Sequence, residues 1–447
     1  MDFLRELENK KQISIYKFAD DGTIKVTGNS TNECLSNMKT VIKSVEKWVC
    51  KNRMIINCLP DKTEVVCFSS AENDKSLVPK TFKICGQSIK LVKQTKALGL
   101  IIDEDLNFKE HGKAVYKKMA KKWGAICSYS HRHWGFNHQV MTQLIKTLFH
   151  SSLFYAGFIW INNQSTEDIR KLYYHILKVT VGAVFNVRLS LIEMILGIPP
   201  INIINKTNEI KHYLKLLINE TPGDKLKQFI QEEIQNDVQN SVLQHPLTQV
   251  LKFLTWKIRN YPESVNAVDK LTIESNNISE ILQLNPESCK YTKEMMNKYI
   301  EHLWQNSVRN EYQLEGHSII PQPKVQPLPV RRGIARKTEV LLLSLFYENN
   351  LLNSFLHRYK SSIYISPLCD CGMEVQTPHH VLFRCSFVDI HLRSQAFDNF
   401  KLAVGEEMAN IDSTIILLNG SRHTAFMDKV VDIILSIQNR LRSDIIL

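Results

Sequence analysis

The pattern that most constrains this chain lies near its C-terminal end, where Cys369-Asp370-Cys371-Gly372 is followed by His380 and Cys385. The spacing, C-x-C-x8-H-x4-C, gathers four ligand-type side chains in one short segment. Zn²⁺ takes tetrahedral sets of Cys and His, and two cysteines on one turn supply half of such a set. A His followed about one helical turn later by Cys presents the other half on one face. Gly372 allows the tight turn that a knuckle needs. Cys-x-Cys is closer than the usual C-x2–4-C, so buried free thiols with a capping His stand as the alternative reading. Cys34, Cys50, Cys58, Cys67, Cys85, Cys127 and Cys289 show no ligand spacing.

Ten cysteines in 447 residues are too sparse for a disulfide scaffold. No signal peptide is read in Met1 to Lys11, which is mixed in charge. The longest apolar stretch, Leu148 to Ile161, is too short to span a bilayer. The expectation is an intracellular protein, nuclear or cytoplasmic, with reduced thiols and no membrane segment. The length allows two or three domains. Lys and Arg outnumber Asp and Glu by 56 to 45, for a formal charge of +11. That balance favours a polyanionic partner such as nucleic acid. It sets no oligomeric state.

The first hundred residues alternate short strand and helix signals, which predicts an α+β segment. Ile13 to Phe18 and Thr23 to Thr27 are β-prone and flank Ala19-Asp20-Asp21-Gly22, a hairpin turn. Leu35, Met38, Ile42, Val45 and Val49 recur at helical spacing from about Thr31 to Lys51, with Ser30 or Thr31 as cap. Ile55-Ile56, Val65 to Phe68 and Phe82 to Ile84 read as further strands, and Lys96 to Ile102 as another apolar run. From about His111 the pattern turns helical. Val115, Met119, Trp123 and Ile126 form one stripe, and Lys113, Lys117 and Lys121, extended by Lys118 and Lys122, form another face. Apolar helices near His138 to Phe158 and Ser165 to Val181 lead to a stop at Gly197-Ile198-Pro199-Pro200. His131, His133 and His138 lie near Trp134 without a Cys or carboxylate to complete a metal site, and mark a loop between helices. Residues 201–314 suggest polar helices. Pro321, Pro323, Pro327 and Pro329 within 315–338 argue for an extended connector before a final module, 339–447.

Asp20 and Asp21 on a tight turn form an oxygen-rich site suited to Mg²⁺, and two-metal phosphoryl transfer uses such carboxylates. Alone, Asp-Asp-Gly is also an ordinary solvated turn. The order of the segments after it is more specific: Trp48, then Asn57 with Lys62-Thr63, then Leu98-Gly99-Leu100-Ile101-Ile102-Asp103, and then the basic helix. From about Ile13 to Pro200 the series resembles the rear half of a non-LTR (LINE-type, jockey-like) retrotransposon reverse transcriptase. The cysteine cluster, with Thr377, His380, Phe383 and Cys385, resembles the cysteine–histidine motif that ends such polyproteins.

That resemblance implies a partial palm sheet over 1–110 and a helical thumb over 111–200. A helical connector and a small Zn-knuckle module would follow. It implies Mg²⁺ at Asp20 and Asp21, and Lys62 behind the active site, where a cation assists the departing pyrophosphate. Lys113, Lys117, Lys118, Lys121 and Lys122 would face the phosphates of an RNA template and DNA primer, and Cys369, Cys371, His380 and Cys385 would hold Zn²⁺. The family's third catalytic aspartate and its fingers lie upstream of the acidic hairpin, which starts here at Ile13. The expectation is therefore an RNA-directed DNA polymerase that is truncated, binds nucleic acid and does not polymerise alone. A non-catalytic RNA- or DNA-binding zinc-knuckle protein and a helical interaction scaffold are the alternatives.

Overall fold

The computed structural model describes residues 12–19, 21–60, 62–69, 77–162, 165–218, 246–275, 278–316, 318–347 and 350–438, so Asp20 lies outside the described residues. The chain divides into two compact units, Met1–Ala114 with Asn162–Glu167, and Val115–Ile161 with Asp168–Leu447.

The first unit is built from antiparallel hairpins and one long helix. Strand β1 (Ile13–Phe18) pairs with β2 (Asp21–Val26), from Ile13 opposite Val26 to Phe18 opposite Asp21. Only Ala19 and Asp20 separate the strands, and Ala19 takes a left-handed φ of 52°. With Phe18 paired to Asp21, the connection is shorter than the four-residue reading. Asp21 and Gly22 are consequently strand residues, opposite Phe18 and Lys17. Helix α1 (Thr31–Lys51) starts at Ser30, whose hydroxyl accepts the Glu33 N–H at 3.3 Å. The Glu33 carboxylate reaches back to the Asn29 N–H at 2.8 Å, a variant of the capping box.

Strands β3 (Thr81–Ile84) and β4 (Gln87–Lys90) turn at Cys85 and Gly86, with φ of 46° and 76°. The Glu46 carboxylate of α1 accepts the Cys85 N–H at 2.7 Å and so ties that turn to the helix. Leu35, Met38, Ile42 and Val45 of α1 pack on Phe82, Ile84 and Ile89, while Val41 and Val45 pack with Ile13 and its neighbours. The apolar run at Lys96 to Ile102 is not one strand. It folds into β5 (Gln94–Ala97) and β6 (Leu100–Asp103) around Leu98 and Gly99, again both at positive φ. Val65 makes an isolated bridge to Leu91, and Ile55-Ile56 is not in a strand. Among the described residues the strands form three separate two-stranded sheets, not one joined palm sheet.

Asp103, which the family pattern sets at the end of a strand, has a local structural task. Its carboxylate accepts the N–H groups of Asp105, Asn107 and Phe108 at 3.1, 3.1 and 2.8 Å. It thereby shapes the turn that launches helix α2 (Lys109–Ile126).

The second unit is helical. Helix α3 (His138–Leu144) continues through a π-turn, Ile145–Phe149, into α4 (His150–Leu153), and α5 (Gly157–Trp160) follows a left-handed Ala156. Helices α6 (Glu167–Val181) and α7 (Leu189–Leu196) follow, and α7 stops at Gly197, φ 59°, as the Gly-Ile-Pro-Pro signal predicts. The longest described helices beyond them are α8 (Ile201–Ile218), α9 (Pro246–Asn260) and, after short α10 (Ala267–Glu274) and α11 (Pro286–Cys289), α12 (Lys293–Leu314). In α9 the buried Lys257 ammonium satisfies the carbonyls of Ser264, Ser288 and Lys290.

The proline-rich segment is extended, as its spacing implies, and it is packed along its length. Leu328 is buried, its N–H donates to the Ile195 carbonyl at 2.9 Å, and Glu301 accepts the Val325 N–H at 3.0 Å. A Cβ on Gly197 would stand 2.1 Å from the Gln326 carbonyl carbon, so only glycine allows this approach. Helix α13 (Arg336–Ser344) then enters the core.

Three charged or polar side chains fix α13 against α3. Arg336 ion-pairs with Glu339 one turn on and donates to the Thr180 carbonyl at 2.7 Å. Glu339 accepts from His138 Nδ1 at 2.7 Å and from the His138 backbone N–H, while His138 Nε2 meets the Leu328 carbonyl at 3.0 Å. Burial alone pushes the Glu339 carboxyl up, but the bond and charge of His138, followed by Arg336, hold it below its ordinary 4.5. A depressed folded value means that this stabilisation is complete above pH 4.5 and is lost as pH falls through the folded value. Glu339→Ala leaves the Arg336 charge buried without its partner, at a cost of about 3–5 kcal/mol. Urea denaturation at pH 7 should show that loss and a smaller one near pH 3; equal stability of the variant at pH 7 would refute the role.

Candidate metal centre and basic helix

The final helices place the cysteine cluster. Helix α14 (Asn353–Tyr359) precedes the cluster, and α15 (Pro378–Phe383) carries His380. Cys369 and Cys371 sit on a turn in which Gly372, φ 76°, returns its N–H to the Cys369 carbonyl at 2.8 Å. A bridge between Leu368 and Val375 closes that turn. Thr377 caps α15 by accepting the His380 N–H at 3.1 Å, and Cys385 follows with its own N–H on the His380 carbonyl.

The ligand atoms of Cys369, Cys371, His380 and Cys385 all lie within 4.8 Å of one another. Cys369 Sγ is 3.8 Å from Cys385 Sγ, and Cys371 Sγ is 3.3 Å from His380 Nε2. A tetrahedron with zinc–sulfur and zinc–nitrogen bonds of ordinary length has edges of about 3.5–3.8 Å. The set therefore has the size of a zinc site and can hold a metal ion. It is the only cluster of three or more His, Cys, Asp or Glu of this kind among the described residues.

The surroundings suit a bound cation. Glu374 Oε2 lies 3.3 Å from His380 Nδ1, the outer contact that in metal sites favours a proton on Nδ1 and leaves Nε2 for the ion. Gln376 donates to Cys369 Sγ at 3.8 Å while its carbonyl accepts the Asn353 N–H at 2.8 Å. Burial pushes the Cys385 thiol up to about 12. Burial also opposes ionisation of Cys371, yet the Met373 N–H and the neighbouring thiols and His380 bring it down to about 6. A divalent cation removes that conflict, because coordinated thiols ionise. Four protein ligands leave no open position, the arrangement of a structural site. His379 stands apart: it is buried, with Nε2 on the Ala409 carbonyl at 3.2 Å and its ring edge-on to Phe383. Glu374 and Gln376 were not foreseen from the sequence, since outer partners follow no fixed spacing.

Helix α2 presents Lys113, Lys117, Lys118 and Lys121 to solvent, opposite the buried Val115, Met119 and Trp123. Lys113 pairs with Glu110 at 2.6 Å on that exposed face. Lys122 does not belong to it. Its ammonium donates to the Leu148 carbonyl and the Ser152 hydroxyl at 2.5 and 2.6 Å, so it fastens α2 to the helical stretch after it. Burial, then the Lys118 charge, lowers its pKa.

The acidic hairpin gives less. Asp21 is exposed in β2, Asp20 lies outside the described residues, and no metal-capable group forms around Asp21 among those described. Lys62 is exposed in a turn organised by Asn57, whose carbonyl accepts the Thr63 hydroxyl at 2.8 Å.

Purified with zinc, the chain should hold one ion, and Cys385→Ser should lose it. Binding free energy of a structural ion is folding free energy, so chelation should lower Tm by at least about 3 °C. Elemental analysis and calorimetry check this; an unchanged Tm after complete metal removal would exclude a structural ion.

No protein-family model matches the chain, and no solved structure matches it. The chain is similar to the "Retrovirus-related Pol polyprotein from type-1 retrotransposable element R1" of Bradysia coprophila, at 25% identity over 146 residues. That match covers 33% of this chain and 14% of the relative, so the chain aligns with only a small part of the longer polyprotein. The similarity supports a non-LTR retrotransposon-related protein.

Proposed function

We propose that the chain is a retrotransposon-derived, nucleic-acid-binding part of a reverse-transcriptase polyprotein, with a zinc-stabilised C-terminal module. The observation that carries this reading is the lysine face of α2, in a chain similar to a retrotransposon Pol polyprotein. Lys113, Lys117 and Lys121 recur at four-residue steps and so share one face of the helix, with Lys118 flanking it. Such a face suits the phosphates of a template–primer duplex, where each neutralised phosphate releases counterions. The net charge of +11 adds long-range attraction. No helix among those described is long and apolar enough to cross a membrane.

The Cys369, Cys371, His380 and Cys385 set would hold Zn²⁺ as a fold-stabilising ion. Asp20, Asp21 and Lys62 belong to the proposal as the family's polymerase positions. A two-metal site needs further carboxylate ligands, so the function proposed for this chain is binding, and autonomous polymerisation is an outcome of the test below.

One preparation tests both parts. Fluorescence anisotropy with an RNA–DNA primer–template should give binding that weakens with salt. Replacing Lys117, Lys118 and Lys121 by Ala should flatten the log–log salt slope by about 2–3. The same samples, given Mg²⁺ and dNTPs, should show no extension. Binding that is indifferent to the lysines would remove the interface, and extension lost on Asp20→Ala with Asp21→Ala would restore the polymerase reading.

A further inference from the structure

The loop between α2 and α3 lies beyond the basic face, and its construction is unusual for a connector. After a short 3₁₀ turn, Cys127–Tyr129, the chain makes a miniature hairpin closed by a bridge between Ser130 and Gly135. The His131 N–H bonds the Trp134 carbonyl at 3.0 Å, and the Phe136 N–H bonds the Tyr129 carbonyl at 2.9 Å. Gly135 has φ 104°, and a Cβ there would lie 2.2 Å from the Tyr129 carbonyl oxygen. From the core, Arg336 Nε donates to the His131 carbonyl at 3.3 Å, so the buried ion pair of α13 also anchors this loop.

A loop so firmly held nevertheless leaves its large rings in water. Trp134 is 56% exposed and Tyr129 59%, with Phe136 also exposed. His131 stacks on Trp134 at 5.7 Å and 21°, and Tyr129 lies 6.0 Å from Phe136 at 31°. Arg132, half-buried in the same hairpin, lies with its guanidinium 3.4 Å from His133 Nε2. These rings do not serve the core, and they come directly after the helix that exposes Lys117, Lys118 and Lys121. From Lys117 to Ile126 that helix advances about 14 Å, roughly four base steps of a nucleic-acid strand.

We propose that the hairpin Tyr129–Phe136 is a stacking platform for unpaired nucleotides, continuous with the lysine face of α2. This rests on the nucleic-acid reading above and adds a site for the single-stranded part of the ligand. Lysines supply attraction for phosphates without distinguishing paired from unpaired strands. Rigid exposed rings add stacking, which every base can provide only when it is not buried in a duplex. Charge complementarity selects this occupant over an apolar protein surface, because the rings follow, along the chain, a helix that exposes Lys117, Lys118 and Lys121.

The test compares two probes on the full, zinc-loaded chain. They are a fluorescein-labelled oligouridine of about twelve nucleotides and a blunt DNA duplex of similar length. Trp134→Ala should weaken oligouridine binding about tenfold and leave duplex binding within about twofold, and Trp134→Phe should retain most of the affinity. Lys117→Ala with Lys121→Ala should weaken both probes. Oligouridine affinity unchanged in Trp134→Ala, while the lysine variant loses it, would overturn the platform and leave the basic interface standing. Equal losses on both probes would make the loop a general contact and overturn it too. Loss of self-association in Trp134→Ala, with unchanged affinity for both probes, would assign the rings to a protein contact instead. A wild-type chain that binds neither probe would remove the underlying nucleic-acid reading.

Discussion

The second unit depends on one buried ion pair and the segments that hang from it. Arg336 and Glu339 lie one turn apart on α13, each almost fully buried, and between them they engage segments far away in sequence. Glu339 holds His138 at the start of α3, His138 holds the Leu328 carbonyl of the proline-rich strap, and Arg336 holds the end of α6 and the loop at His131. The Arg336, Glu339 and His138 side chains are buried, so each loss would leave a buried charge or donor unmatched. A hydrophobic contact in the same place would tolerate sliding. This network fixes register as well as proximity, and thus sets where the basic helix ends and the aromatic hairpin begins.

The Cys369, Cys371, His380 and Cys385 cluster would play the corresponding part further along the chain once it held an ion. A short turn bearing two cysteines and a single-turn-plus helix bearing His380 have little core of their own to hold them together. The surrounding helices α16 (Ile390–Val404), α17 (Glu406–Ala409), α18 (Thr414–Gly420) and α19 (Thr424–Ile437) bring Phe383 against Phe400 and Phe426. The ion would lock the turn onto that packed base. Four protein ligands on one ion would leave no open position, the arrangement of a structural site.

Much of this was legible in the residues. The spacing of Cys369, Cys371, His380 and Cys385 pointed to the metal set because ligand geometry acts through local sequence, and the structure brings the four together. The α2 lysines and the Gly197 stop were equally local. The features that were not legible depended on contacts across long sequence separations. Lys122 reads as one more surface lysine, and only the carbonyl of Leu148 reveals it as a fastener. The pairing of Glu339 with His138 spans 201 residues and has no local signal. The Leu98-Gly99 turn was hidden inside an apolar run, where hydrophobicity outweighed the turn signal. A partial palm sheet was inferred from family order, and local hairpin signals alone do not specify pairing between hairpins.

The central claim is that nucleic acid lies along α2 and the hairpin after it, while the metal module serves the fold. Ultraviolet cross-linking of a 4-thiouridine RNA to the zinc-loaded chain, with the modified peptides mapped by mass spectrometry, tests this directly. The account predicts cross-links concentrated between Lys113 and Phe136. Cross-links confined to the Cys369–Cys385 segment, with none on α2 or its hairpin, would contradict it.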